Sequence, residues 1–152
     1  MWTKTKSLFL SRILTYAVGG LFLILTFFVP AISKYYEAVS EPLGLLKGSI
    51  FLPMCIGLYT AEIFGFIALG SLNRLLKNIG KEAVFVKENT VCLRIISWMC
   101  MFAAISFAVI GLWRFVFLMA ALFAAMLGLI LRVLKNVFEK AVEIKSENDF
   151  TI

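Results

Sequence analysis

The chain has 152 residues, 62% of them hydrophobic and 16% charged, with a mean hydropathy of +0.97. A water-soluble domain is roughly 45–50% apolar and about 25% charged, so a compact soluble fold is excluded: the surplus apolar surface needs lipid as its solvent. Fifteen lysines and arginines against nine acids give a net charge of +6, and because these cations gather at the ends of apolar runs they fit the cytoplasmic face of a bilayer rather than direct contact with nucleic acid.

A hydrocarbon core of about 30 Å needs roughly 20 apolar residues in a helix. The first such run covers residues 8–29 and is expected to stop at Pro30. Lys4, Lys6 and Arg12 resemble the charged start of a signal peptide. The apolar stretch 13–29 is nevertheless longer than the usual signal core, so an uncleaved anchor is expected. A loop at 31–49 follows, in which Tyr35 and Tyr36 read as interfacial belt residues.

The second run, 50–72, has Pro53 in its first turn, where a missing N–H matters least. Glu62 lies near its middle and is the most unusual residue of the chain. A carboxyl at bilayer mid-depth costs a few kcal/mol or more unless it faces protein or water. Gly57, Ala61 and Gly65 recur every four residues beside it, a stripe of small residues against which another helix can pack. Two readings of Glu62 stand: an interhelical hydrogen bond, or a proton, cation or ligand site. A single acid without a second carboxyl or a basic relay is thin support for transport.

The segment 73–90 is basic and patterned. Leu75, Leu76 and Ile79 prolong the apolar face of the second helix, residues 83–86 form a small apolar patch containing Phe85, and Glu88-Asn89-Thr90 offer N-cap chemistry. The third run, 91–112, and the fourth, 114–134, are joined by so short a hairpin that they must be antiparallel neighbours. The tail, 135–152, keeps helical periodicity to about Lys145. Phe138 and Val142 lie on its apolar face, while Glu139 and Glu143 lie on its polar face. It ends on Glu147-Asn148-Asp149 followed by the apolar Phe150 and Ile152. Phe85, Phe138, Glu139, Val142, Glu143, Glu147, Asn148 and Asp149 are the candidate docking surface for a cytoplasmic protein, by helix-in-groove contact. The competing reading packs this face on the chain's own loop or on lipid headgroups.

With the N-terminus inside, twelve lysines and arginines fall on cytoplasmic segments and three (Lys34, Lys47 and Arg114) outside; the reverse arrangement opposes the positive-inside tendency. The expected fold is therefore all-α: a single polytopic membrane domain of four transmembrane helices, both termini cytoplasmic, the fourth helix extended into the cytoplasm. A homo-oligomer is compatible with it.

Chemistry is sparse. There is no histidine, and Cys55, Cys92 and Cys100 show no C-x-x-C spacing. No phosphate-binding glycine motif, dinucleotide fingerprint or H-E-x-x-H occurs, and no serine or cysteine has an imidazole to activate it. No catalytic residue, cofactor or metal site is expected.

The end of the chain, from Leu134-Lys135-Asn136-Val137-Phe138 through Glu147-Asn148-Asp149-Phe150-Thr151-Ile152, resembles the signature ending of a bacterial family of four-helix membrane proteins catalogued by a domain of unknown function. Phe150 stands where that family usually has Leu. Pro53, Gly57, Tyr59 and Ala61 are similar to its opening of the second helix, and Val84-Phe85, Asn89, Leu93-Arg94 and Ile96 to its passage into the third. The resemblance implies a neighbouring gene for a small Cro/CI-type helix-turn-helix regulator, hence a membrane protein that binds its cognate regulator; it assigns no role to Glu62. The alternative is a small transporter, or an ion-pathway component or subunit, using the intramembrane carboxylate.

The orientation is directly testable. Alkaline phosphatase fused after Gly44 should be active and after Ala83 inactive; the opposite pattern would reverse the topology. Intact mass spectrometry should find Met1 or Trp2 in the mature protein, as an uncleaved anchor requires.

Overall fold

A computed structural model describes residues 4–149, with side chains from 6 to 148. Of the sequence candidates, the Asp149 side chain and the terminal Phe150, Thr151 and Ile152 lie outside the described residues, as do Met1 and Trp2. Four helices make up the fold: α1 (Lys4–Val39), α2 (Phe51–Gly80), α3 (Lys87–Gly111) and α4 (Val116–Asp149). Among the described residues there is no strand. All four are long and apolar enough to cross a membrane. Even α3, the shortest at 25 residues, is about 37 Å long at ~1.5 Å per residue, more than the ~30 Å hydrocarbon core. This is the architecture of a multi-pass membrane protein.

The helices overrun the apolar runs at several ends, and each overrun has a physical cause. α1 does not stop at Pro30; it continues to Val39. Proline removes one N–H and leaves the carbonyl four residues earlier without its donor. Here that carbonyl belongs to Thr26, and the Tyr59 hydroxyl of α2 donates to it at 3.3 Å. Tyr35 and Tyr36 consequently sit on the last turns of α1 rather than in a loop. Tyr36 is also more than a belt residue: its ring meets Phe117 edge-on at 5.5 Å and packs on the cluster of Ile50, Met54 and Ile110.

α2 runs on to Gly80, so the link to α3 shrinks to residues 81–86. Glu88-Asn89-Thr90 does not cap α3 as expected. The N-cap is Val86, in extended conformation and without a side-chain cap bond. Asn89 is instead wholly buried. Its Nδ2 donates to the carbonyls of Ala83 (2.8 Å) and Val84 (2.7 Å), and its Oδ1 accepts from Asn78 Nδ2 at 2.8 Å. One amide side chain thus ties the end of α2, the turn and the start of α3. The turn itself passes through the left-handed region at Glu82, φ 61°.

Backbone packing follows chain order: α1 lies along α2, α2 along α3, and α3 along α4. The α3–α4 approach is close at Gly128, whose carbonyl accepts a 2.7 Å bond from the buried Ser97 hydroxyl. At the end away from the 81–86 turn, the 40–50 loop is strapped to the α3–α4 hairpin. Leu46 N–H donates to Leu112 O (2.8 Å) and Phe115 N–H to Leu43 O (3.0 Å). Arg114, only 5% exposed, donates to Ser40 Oγ (3.0 Å), Ser40 O (3.3 Å) and Trp113 O (3.0 Å). Gly44 allows this approach, since a Cβ there would lie 2.2 Å from the Trp113 carbonyl oxygen.

Two substitutions probe these ties. Asn89→Ala orphans two turn carbonyls and should cost about 1–3 kcal/mol; Gly44→Ala forces backbone apart and should cost a similar ~1–3 kcal/mol. Both should lower the melting temperature in detergent by several degrees without changing helix content by circular dichroism.

Candidate functional site

Two regions bring the candidate residues into definite surroundings: a crevice around Glu62, and the basic end of the molecule where α3 starts and α4 ends.

Glu62 lies on the twelfth residue of α2, about 17 Å along the helix from Phe51. Its Oε1 is 2.8 Å from the Thr26 hydroxyl of α1, which also reaches the Phe22 carbonyl at 3.0 Å. Thr26 is therefore the hydrogen-bond partner of Glu62, which the sequence alone does not indicate. The same residue engages α2 twice, through its hydroxyl to Glu62 and its proline-freed carbonyl to Tyr59. Among the described residues Glu62 forms no ion pair. It lines a half-open cavity of about 430 Å³ walled by α1, α2 and α3, whose other lining side chains are apolar, Phe22, Val29, Leu58 and Phe107 among them. Ser106 is engaged elsewhere, accepting from Thr60 Oγ1 at 3.1 Å across the α2–α3 contact.

The small-residue stripe is divided between two neighbours. A Cβ on Gly57 would strike Ile110 of α3 at 2.5 Å, and one on Gly65 would strike the Phe22 ring of α1 at 2.4 Å. Ala61, between them, lines the crevice. The reason is geometric: at 3.6 residues per turn, eight residues carry the stripe roughly 80° around the helix, from the α3 side to the α1 side. Repeated smallness indicated close packing but not that two helices share it.

At the basic end, Phe85 and Phe138 are not separate parts of an open surface. Their rings contact each other at 5.8 Å, and Phe138 packs on the core of Leu75, Cys92 and Leu93. Glu139 pairs with Lys135 one turn back and with Arg94 of α3 at 3.3 Å. The Lys135 hydrogen bond foremost, with help from the Lys135 and Arg94 charges, holds the Glu139 carboxyl below the usual carboxylate range against the opposing effect of desolvation. Glu143 pairs with Lys140 at 2.9 Å and raises that ammonium's pKa by the same hydrogen bond. Between α3 and α4 runs an open groove of about 710 Å³. Lys87, Thr90, Val91 and Arg94 line one wall, and residues between Asn136 and Ser146 line the other. Val142, Glu139 and Glu143 belong to that wall; Glu147 and Asn148 lie one turn further, exposed on the last described part of α4. Sequence periodicity indicated the α4 face of this groove, but not its α3 face, because Lys87 and Arg94 counted there only among the twelve cytoplasmic cations.

Among the described residues no cluster of three or more His, Cys, Asp or Glu side chains is placed to hold a metal, and all three cysteines are free. Trp98 stacks on Phe102 at 5.7 Å and receives the Arg132 guanidinium 4.6 Å from its ring centroid.

A family model described as protein of unknown function (DUF2975) matches residues 38–152, which takes in α2, α3, α4 and all connections between them. The chain belongs to the DUF2975 family. No curated protein and no solved structure matches it. The DUF2975 match begins at the end of α1, so it includes Glu62, Tyr59 and the whole α3–α4 groove, while Thr26 and Pro30 lie before it.

The Thr26 carbonyl gives a double-mutant test. Tyr59→Phe should cost about 1 kcal/mol in the native background. In a Pro30→Ala background, where an N–H is restored to the Thr26 carbonyl, it should cost almost nothing. A coupling of ~1 kcal/mol between the two positions is the expected readout; additivity would mean that Tyr59 does not serve the carbonyl.

Proposed function

We propose that this DUF2975 protein is a membrane-anchored docking protein whose cytoplasmic end holds a soluble protein, a helix-turn-helix regulator being the partner that the family resemblance implies. The observation that carries this reading is the α3–α4 groove. Lys87 and Arg94 line one wall and Glu139 and Glu143 the other, Arg94 pairing with Glu139 across it, and the apolar Val91 and Val142 belong to the same lining. Alternating charge around a short apolar strip suits an amphipathic helix laid along the groove, with the charges setting its direction and register. The Phe85–Phe138 contact supports the same reading from behind, since it fixes the projecting turns of α4 against the loop. The carboxylates of the far wall are held in order by Lys135, Arg94 and Lys140 before any partner arrives. Preorganised charges reduce the ordering cost of binding. A protein tethered at the membrane in this way is withdrawn from the nucleoid, so recruitment alone would silence a DNA-binding partner.

The test is fractionation of cells that express the chain with a helix-turn-helix regulator of the kind that the family resemblance implies is encoded beside it. The native chain should carry the regulator into the membrane fraction. Val142→Asp combined with Glu143→Arg should return most of it to the soluble fraction while the membrane level of the chain is unchanged. Undiminished recruitment by that variant would refute the groove as the docking site.

A further inference from the structure

The crevice around Glu62 is not accounted for by docking at the basic end, and it lies at a different depth. From its geometry we infer that it is a binding site for a lipophilic organic cation.

Three features of the crevice select this class of ligand. The first is size: about 430 Å³ lies within the roughly 300–1,000 Å³ of small-molecule sites. The second is an unmatched charge capacity. Glu62 is the lone ionisable side chain of the lining, and its hydrogen bond to Thr26 occupies Oε1. Among the described residues no hydrogen bond or ion pair reaches Oε2. The nearest cation along α1 is the exposed Lys34, eight residues and ~12 Å from Thr26, and among the described residues no ion pair joins it or any other cation to Glu62. An ionised carboxyl in such surroundings is stable only when a cation joins it. The third is the wall. Phe22 and Phe107 present aromatic surface, which attracts a cation through the ring quadrupole while accepting its apolar substituents.

The hydrogen bonds allow an empty and a filled state. Thr26 has one hydroxyl hydrogen and two acceptors in reach, the Phe22 carbonyl and Glu62 Oε1. When the hydroxyl turns to Phe22, Oε1 is released; when it turns to Glu62, Oε1 is engaged and Oε2 is left for the cation. From the neighbouring helices the crevice is lined by Phe22, Leu25, Val29 and Ile32 of α1 and Ala103 and Phe107 of α3, none of them titratable; Tyr59, on Glu62's own helix, is committed to the Thr26 carbonyl.

The experiment is equilibrium dialysis of the purified full chain in detergent against tetraphenylphosphonium. Saturable binding near one per chain is expected, with a loss of tenfold or more in Glu62→Gln, on the order expected for removing one partner of a desolvated charge pair. Glu62→Asp should retain part of the affinity, and native elution and melting would certify both variants as folded. Neutral triphenylphosphine oxide should compete at least about tenfold more weakly, for want of the same charge contact. This comparison uses only the native chain and decides the matter if Glu62→Gln does not fold. Equal affinity for the neutral compound, or full binding by a folded Glu62→Gln, would show a crevice for lipid tails or other apolar molecules and overturn the assignment.

Discussion

In hydrocarbon there is no water to satisfy an open backbone N–H or C=O, and each one left unpaired costs several kcal/mol. That constraint turns a chain this apolar into helices, and it also decides the fate of every place where a helix is interrupted. Pro30 removes a donor inside α1, and the freed Thr26 carbonyl is met by Tyr59. The turn after α2 cannot continue its helical ladder, and Asn89 supplies donors to two of its carbonyls. The loop after α1 finds partners on the α3–α4 hairpin, partly through backbone bonds and partly through the buried Arg114. Polar side chains in this protein are placed where the backbone needs them, and the tertiary contacts between helices follow from that placement.

Glu62 belongs to the same network and departs from it. Its bond is to Thr26, the residue whose carbonyl Pro30 frees, so the interruption of α1 and the intramembrane acid meet at one residue. A threonine serving only to support a carbonyl would not need a carboxyl beside it. The acid is the one member of the cluster whose presence backbone satisfaction does not explain. It also opens onto space rather than onto packed side chains.

The number of helices and their membrane character were legible in the sequence because hydropathy reports them directly. Helix ends were less so. A proline ends or kinks many helices, and the partner of the carbonyl that Pro30 frees, Tyr59, is distant in sequence. Asn89 looked like a capping residue by its position, yet its side chain is drawn inward by Asn78 and the turn carbonyls. At the candidate sites, the α4 face of the basic groove was visible as periodicity in residues 138–143, whereas Lys87 and Arg94 joined it only through the α3–α4 packing. The partner of Glu62 lies 36 positions away, and nothing local to either residue announces the pair. Arg114 passed as an ordinary flanking cation, although it is among the most buried polar side chains of the fold.

The order in which the helices touch has a further meaning for biogenesis. Each helix packs along the one made just before it, and the backbones of α1 and α4 do not meet. Contacts of this kind are local in sequence, which shortens the search for native pairings. A ribosome delivering the chain into a bilayer releases each segment beside its finished docking surface, so assembly can keep pace with elongation. One contact breaks this local order: when the hairpin after α3 emerges, Arg114 reaches back 74 positions to Ser40 and fastens the start of α4 to the loop after α1.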